Sequence, residues 1–121
     1  MKNKAFRMTM LFDFYGDLLT ERQQEFFDLY YNEDLSLAEI AENAGITRQG
    51  VRDVLVRSEA ILTDMEEKTG IVARFLEMQR ISDQIENAAS QILLINDERY
   101  GSADLMRLAR EIRDCAHLLK E

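Results

Sequence analysis

The stretch LSLAEIAENAGITRQGVRDVLVRSE, which covers Leu35–Glu59, decides the fold that this chain is predicted to adopt. Ser36 is followed three residues later by Glu39, and this capping-box pattern predicts the start of an α-helix. Gly45 is predicted to end that short helix, because glycine accepts the left-handed conformation of a tight turn. Thr47 is placed to cap a second helix. Two helices joined by a tight turn that contains glycine are typical of a helix-turn-helix.

Apolar residues of the two helices predict how this motif closes on itself. Ala41 is small enough to let the helix backbones approach each other closely. The predicted contact joins the first helix to the turn and the second helix, with Leu37, Ile40 and Ala41 packing on Ile46, Val51 and Leu55.

The start of the second helix carries the candidate DNA-binding residues Arg48, Gln49, Arg52 and Arg57. A helix-turn-helix places this part of its second helix in the major groove of DNA. There, arginine bonds bidentately to guanine edges and glutamine to adenine edges. Asp53 lies beside the same face, and its carboxylate would repel phosphate. A nucleic-acid contact and a protein-facing role of this surface therefore both remain open.

Two further helices are predicted before the motif. The first covers about Ala5–Asp17 and is apolar almost all round, so we expect C-terminal residues or a second subunit to cover part of it. Thr20 and Gln23 form another capping box, which begins a helix that runs to about Tyr31. The i, i+3, i+4 spacing predicts an inward stripe of Phe26, Leu29 and Tyr30, with Phe27 and Tyr31 at its sides.

The remainder of the chain is predicted to form an antiparallel pair of helices. The absence of proline and the presence of only five glycines favour long helices. Residues 71–95 and the residues after Ser102 have amphipathic spacing, and Asn96–Gly101 reads as the turn between them. The apolar stripe of the last helix is Leu105, Leu108, Ile112, Cys115 and Leu119.

The predicted fold is therefore all-α, with two parts. A helix-turn-helix domain occupies residues 1–69, and its second helix continues to about Lys68 before a break at Thr69–Gly70. A helical hairpin occupies residues 70–121 and either completes the core or dimerises. We expect a homodimer, whose two copies of the second helix would meet DNA half-sites about 34 Å apart.

The charge balance argues against strong non-specific DNA binding. The chain has 121 residues, enough for one domain or a small domain with an extension. Its 15 basic and 23 acidic side chains give a net charge of −8. Residues 1–69 contribute −6 and residues 70–121 contribute −2. Because non-specific affinity comes mostly from neutralising phosphates, we expect poor binding to arbitrary DNA.

Composition also limits the compartment and the chemistry. A single cysteine forms no internal disulfide, so a reducing, cytoplasmic location is expected. No apolar run is long enough to span a membrane, and Asp13 and Asp17 interrupt the N-terminal run that would otherwise resemble a signal peptide. Cys115 and His117 point to different faces of one helix and form no nucleophile–base pair, and Cys115 is interpreted as a buried packing residue. We predict no enzyme, no cofactor, no metal site, no small-molecule substrate and no membrane contact.

Two family resemblances follow from these motifs. Residues 19–51 resemble the fourth region of bacterial sigma factors, although the chain lacks the other sigma regions. A closer resemblance is to the YlxM-like family of small bacterial helix-turn-helix proteins. It is carried by MxxLFDFY at Met8–Tyr15, LLTERQ at Leu18–Gln23, LYYNEDLSLAEIAE at Leu29–Glu42 and TRQGVRDVLVRSE at Thr47–Glu59.

The YlxM-like resemblance implies an all-helical regulator that is encoded beside signal-recognition-particle genes and acts in that protein-targeting pathway. Arg48, Gln49 and Arg57 match the recognition-helix signature of the family, whereas Gly50 and Arg52 depart from it. The expected partners are DNA, proteins of the signal recognition particle and a second copy of the chain. The alternative is a protein–protein adaptor that contacts targeting-particle or RNA polymerase components without binding DNA.

Overall fold

The computed structural model describes residues 4–120, and within them it contains six α-helices and no β-strand. This architecture confirms the predicted all-α class. By Cα proximity the chain divides into an N-terminal unit, Met1–Val72, and a C-terminal unit, Ala73–Glu121. The helices are α1 (Lys4–Tyr15), α2 (Glu21–Tyr31), α3 (Leu37–Ala44), α4 (Arg48–Thr69), α5 (Ile71–Ile95) and α6 (Ala103–Leu118).

The predicted helix-turn-helix is confirmed by the residues that cap its helices. Ser36 Oγ accepts a hydrogen bond from the Glu39 N–H at 3.1 Å, and the Glu39 carboxylate accepts one from the Ser36 N–H at 2.9 Å. The hydrogen bond from the Ser36 backbone lowers the pKa of Glu39. Gly45 ends α3 with a φ of 71°, which is the left-handed conformation that favours glycine. Thr47 then caps α4 by accepting from the Gly50 N–H at 3.0 Å.

The core of the N-terminal unit lies where α1, α2 and α3 pack against α4. The predicted contact inside the motif is confirmed, because all six of its residues belong to this core or pack against it. Leu62 extends the core along α4 and is completely buried. The largest fully buried side chains of the unit are Phe26, Phe27, Leu11, Ile40, Leu62 and Val51.

The inward face of α2 differs from the predicted stripe. Phe27 is 0% exposed, whereas Tyr30 is 36% exposed and lies at the edge of the core. The reason is α1, which packs on the side of α2 that holds Phe27. The rings of Phe12 and Phe27 stack with centroids 4.7 Å apart and an interplanar angle of 13°. Because α1 packs there, the buried face of α2 is displaced by about one residue from the predicted stripe.

Helix α1 is covered on one side by its own unit. Met8, Leu11 and Tyr15 are buried against the core, while Phe6 and Phe14 are 41% and 39% exposed. Helices α2 and α4 cover the inner face of α1, and the expectation that C-terminal residues or a second subunit cover part of the remainder stays a prediction. No helix in the described part of the chain is both long enough and apolar enough to cross a membrane.

A buried carboxylate fixes the end of α4. Glu66 Oε1 accepts a hydrogen bond from Tyr15 Oη at 2.6 Å and another from the Val72 N–H at 3.0 Å. Tyr15 Oη also lies 2.5 Å from the Thr69 hydroxyl. Gly70 has a φ of 64°, so the predicted break at Thr69–Gly70 is confirmed. One side chain therefore joins α1, α4 and the first turn of α5.

The C-terminal unit is an antiparallel hairpin held at both ends by polar contacts. At the closed end, the Asn96 side chain donates to the Ser102 carbonyl and accepts from the Ser102 N–H, both at 2.9 Å. The turn itself is the π-helical segment Asn96–Tyr100, which Gly101 ends with a φ of 62°. At the open end, Lys120 Nζ lies 2.7 Å from Asp83 and 3.0 Å from Glu86.

The hairpin buries small residues in its seam and leaves the large residues of the predicted α6 stripe exposed. Its buried positions recur every seven residues: Ser82, Ala89 and Asn96 in the first arm, and Ala109 and Ala116 in the second. The larger residues of the stripe project sideways, because two helices alone provide a single seam. Cys115 is exposed, so its interpretation as a buried packing residue is wrong. Leu105, Leu108, Ile112 and Leu119 are 41–52% exposed.

Candidate nucleic-acid interface

The four candidate residues of α4 are all exposed in its first three turns. Val51 and Leu55 anchor the opposite side of these turns in the core. At 3.6 residues per turn, Arg48 and Arg52 lie along one edge of the exposed surface, and Arg57 lies about 140° further round the helix axis from Arg52. The structure thus presents three of the residues together and places Arg57 at the other edge.

Gln49 is held by its neighbour on the next turn. Its Nε2 donates a hydrogen bond to Asp53 Oδ1 at 2.9 Å. To bond to an adenine edge, the amide would have to exchange this contact for one with the base. The carboxylate of Asp53 also adds a negative charge to the surface that would face phosphates. Both effects lower the intrinsic affinity of this surface for DNA.

The glycine at position 50 protects the cap of α4. In a helix interior, glycine costs about 1 kcal/mol relative to alanine. At Gly50, however, an added Cβ would lie 3.3 Å from Thr47 Oγ1 and 3.4 Å from Ile46 Cδ1. The first contact is tighter than most Cβ atoms make, whereas the second is close to an ordinary van der Waals distance, so the absence of a side chain leaves room mainly for the capping hydroxyl. This departure from the family signature therefore helps to fix the first turn of α4.

Arg22 is a functional candidate that the sequence reasoning missed. It lines a shallow cleft together with Arg57 and Thr20, and its guanidinium lies 5.2 Å from the centre of the Phe26 ring. Such cation–π contact orients a guanidinium without neutralising its charge. The only signal in the sequence was its position two residues after the Thr20 cap. Recognising Arg22 required knowing that α2 packs on α4.

A second cleft borders the other edge of α4. Tyr30, Leu35, Arg52 and Val56 lie on its walls, and Val56 is 50% exposed. Below them, Glu59 accepts a hydrogen bond from Tyr31 Oη at 2.5 Å and pairs with Lys4 Nζ at 2.9 Å.

The contacts around Glu59 alter the electrostatics of this cleft. Burial raises the pKa of Tyr31, and its hydrogen bond to Glu59 raises that pKa further. The Lys4 ammonium compensates the Glu59 carboxylate, which therefore opposes an approaching phosphate less than a lone carboxylate would.

These features define a helix-turn-helix protein: α3 is capped, a tight glycine turn follows it, and α4 begins with exposed arginines. Comparison with known proteins agrees with this class. Residues 2–98 match the UPF0122 family, described as "Putative helix-turn-helix protein, YlxM / p13 like". The chain belongs to this family, and the predicted YlxM-like identity is confirmed. The description is that of a helix-turn-helix protein and not of an enzyme.

Individual relatives cover most of the chain. A UPF0122 protein of Halalkalibacterium halodurans is 40% identical over 112 residues, which are 93% of this chain and 96% of that protein. One of Desulforamulus reducens is 51% identical over 81 residues, 67% of this chain and 69% of that protein. One of Bacillus cereus strain AH187 is 43% identical over 98 residues, 81% of this chain and 89% of that protein.

Proposed function

We propose that this protein is a cytoplasmic regulator that binds DNA through the first three turns of α4. The observation that carries the proposal is the exposed surface of Arg48, Gln49 and Arg52 on a helix that the core holds rigidly from behind. A helix-turn-helix uses this part of its second helix to contact base edges. The capped start of α4 fixes the direction in which these side chains leave the backbone.

The surface divides into a base-reading centre and a phosphate-binding edge. Arg48 and Gln49 lie nearest the start of α4, where bidentate bonds to guanine and adenine form. Val56 is 50% exposed and is suited to contact with a thymine methyl group. Arg57 and Arg22 line the cleft at the far edge, where guanidinium groups suit a backbone phosphate, while the Asp53 carboxylate in the same cleft opposes it.

Binding of this kind is expected to be weak on arbitrary DNA and stronger on a preferred sequence. The net charge of −8 opposes the phosphate backbone, and Asp53 occupies the amide of Gln49. The edge of the preferred base offers Gln49 hydrogen bonds that replace its contact with Asp53, whereas the edge of another base does not. The Asp53 carboxylate therefore favours discrimination between DNA sequences over affinity for DNA in general.

The test is fluorescence anisotropy of the whole protein with random and genomic duplexes at two salt concentrations. Arg48→Ala and Gln49→Ala are expected to abolish a sequence preference without changing the fold. Arg57→Ala is expected to weaken binding to all duplexes evenly and to reduce the salt slope by about one unit. Asp53→Asn is expected to tighten binding, since it removes a negative charge.

Lys68→Ala is the matched control for Arg57→Ala. Lys68 also carries a positive charge on α4, but it lies three turns beyond Arg57 and pairs with Asp64 at 2.9 Å. Its removal is expected to leave both affinity and salt slope unchanged. Negligible binding to every duplex at both salt concentrations would contradict the DNA proposal, as would equal losses for Lys68→Ala and Arg57→Ala.

A specific observation also supports a second candidate, a protein–protein adaptor. The cleft beside α4 has exposed apolar and aromatic walls, with Val56 50% and Tyr30 36% exposed, and such surfaces are common in protein contacts. Family resemblance suggests components of the signal recognition particle or RNA polymerase as partners. For such an adaptor, the dissociation constant for DNA is expected to stay at about 0.1 mM or weaker. Val56→Ser and Arg52→Ala are expected to weaken binding of a purified partner component in a titration.

A further inference from the structure

The hairpin of the C-terminal unit leaves one continuous apolar surface, here called the apolar face. In the first arm, Ile85 and Ile92 lie three residues after the buried Ser82 and Ala89, and Ile81 lies one residue before Ser82. The second arm repeats these offsets around Ala109 and Ala116. In two antiparallel helices that share a seam, residues with the same offset from a buried seam residue lie on the same side of the hairpin. The face consists of Met78, Ile81, Ile85, Ile92, Ile95, Leu105, Leu108, Ile112, Cys115 and Leu119.

The structure shows that the two arms share this surface. Ile85 of the first arm lines one shallow groove together with Leu108, Ile112, Cys115 and Leu119 of the second. Glu111 also lines this groove, at the outer edge of the second arm, because it lies two residues after the buried Ala109. The nine large aliphatic side chains of the apolar face are 36–52% exposed. Isolated exposed apolar residues are ordinary, but a contiguous set of this size marks an interaction surface.

The opposite side of the hairpin is polar and already paired. Asp83 and Glu86 lie one and four residues after Ser82, and His117 and Lys120 lie one and four residues after Ala116. Lys120 Nζ bonds to both carboxylates, and His117 Nδ1 lies 3.3 Å from Glu86. The hairpin is thus two-sided, with its ion pairs on one side and its apolar residues on the other.

We propose that the apolar face binds the same face of a second copy of this chain, which forms a four-helix bundle around a two-fold axis. This proposal is independent of DNA binding. A two-fold interface requires a surface that complements itself, and an aliphatic face without a charged centre meets this condition. Helices packed in this manner interdigitate their side chains at interaxial distances of about 8–10 Å.

Charge favours a second copy over a charged partner. Residues 73–121 carry 7 basic and 9 acidic side chains, a net charge of −2, so two copies repel only weakly. Two arginines of the hairpin are paired within their own helix, Arg80 with Glu77 at 2.7 Å and Arg107 with Asp104 at 3.7 Å. No strong field of one sign is left to select a partner of opposite charge.

The size of the face also suits a dimer. Helix α6 has 16 residues, or about 24 Å of helix, and two helices about 10 Å wide give a face of roughly 24 by 20 Å. Two such faces cover about 960 Å² in projection, and their accessible surface is larger because side chains protrude. A biological interface is expected to exceed about 1,000 Å² in total.

The first experiment measures mass by sedimentation equilibrium from about 1 to 100 μM protein. The proposal expects a dimer at the upper concentrations and a monomer for Leu108→Glu or Ile112→Glu. Leu94→Glu is the matched control, since Leu94 is 60% exposed but lies on the other side of α5. It should leave the dimer intact. These positions are exposed, and circular dichroism is expected to show unchanged helix content.

The single cysteine gives a second readout of the same face. Cys115 is exposed in one chain, so its thiol is expected to react with an alkylating reagent many-fold faster in dilute protein than in concentrated protein. The Leu108→Glu variant should react quickly at every concentration. A monomer at 100 μM, a dimer that survives Leu108→Glu, or a thiol that reacts slowly even when dilute would overturn the proposal. The last result would mean that the chain itself covers the face.

Discussion

Apolar residues recur with the same helical spacing in both units of this protein, but the N-terminal unit buries large side chains and the C-terminal unit buries small ones. In the N-terminal unit, large side chains such as Phe26, Phe27 and Leu62 are almost completely buried. In the C-terminal unit, the buried apolar residues are alanines, and residues such as Ile112 are 46% exposed. Four helices enclose a volume that large side chains can fill, whereas two helices share only a narrow seam. The number of neighbouring helices therefore decides which members of an apolar stripe are inside.

The largest expected difference between the units comes from truncating leucine to alanine in each. Leu55 is 4% exposed in the N-terminal unit, and Leu108 is 45% exposed in the hairpin. Leu55→Ala is expected to lower the free energy of unfolding by about 2–5 kcal/mol, because it leaves a cavity between α3 and α4. Leu108→Ala should cost about 1 kcal/mol or less in dilute protein. Urea unfolding followed by circular dichroism measures both, and equal costs would contradict the comparison.

An intermediate effect is expected from enlarging an alanine in the seam of the hairpin. Ala89 is 1% exposed, whereas its chain neighbour Ala88 is exposed. Ala89→Leu should destabilise the hairpin by about 1–3 kcal/mol, since the added carbons force the two arms apart. Ala88→Leu should change the stability by about 0.5 kcal/mol or less. Amide hydrogen exchange of α6 distinguishes the two, and unchanged protection in Ala89→Leu would show that the seam is loose.

The smallest expected effect concerns alkaline pH and the N-terminal unit. Burial and the hydrogen bond to Glu59 raise the pKa of Tyr31 above its ordinary value of 10.0. The folded state therefore keeps a proton that the unfolded chain releases, so stability is intact below about pH 10 and falls as the pH rises further. Because Tyr31 is partly exposed, the loss is expected to be below about 1 kcal/mol per pH unit.

Tyrosine-to-phenylalanine variants isolate this contribution. The Tyr31→Phe variant should lose less stability between pH 10 and pH 11 than the unaltered protein. Tyr100→Phe is the control, because Tyr100 is 68% exposed in the hairpin turn and should leave the loss unchanged. Urea midpoints at the two pH values provide the measurement. Identical pH dependence in all three proteins would mean that the contact between Tyr31 and Glu59 has no such effect.

Local features of the fold were predictable from sequence because their causes lie within a few residues. The Ser36 and Thr20 capping boxes, the Thr47 cap and the left-handed Gly45 all appear as expected. Each depends on hydrogen bonds or backbone sterics inside one turn of helix. The positions of Arg48 and neighbouring residues at the start of α4 follow directly from those caps.

Features that depend on neighbouring helices were not predictable in the same way. Helix α1 changed which residues of α2 are buried, and this is why Phe27 replaced Tyr30 in the core. The packing of α2 on α4 brought Arg22 beside Arg57. The stripe containing Cys115 has helical period but no third helix to cover it in the hairpin. Helical periodicity predicts which residues share one face of a helix, but it does not predict which helix packs against that face.

The bond from the Val72 N–H to Glu66 also determines where a recombinant fragment should stop. The break at Thr69–Gly70 suggests cutting the chain after residue 69, at the end of α4. A fragment cut there would lack Val72, one of the donors that the buried Glu66 carboxylate uses. It would also place a new terminal carboxylate at Thr69, whose hydroxyl lies 2.5 Å from Tyr15 Oη, and so bring a second negative charge close to Glu66. A soluble helix-turn-helix fragment should therefore extend several residues past Val72.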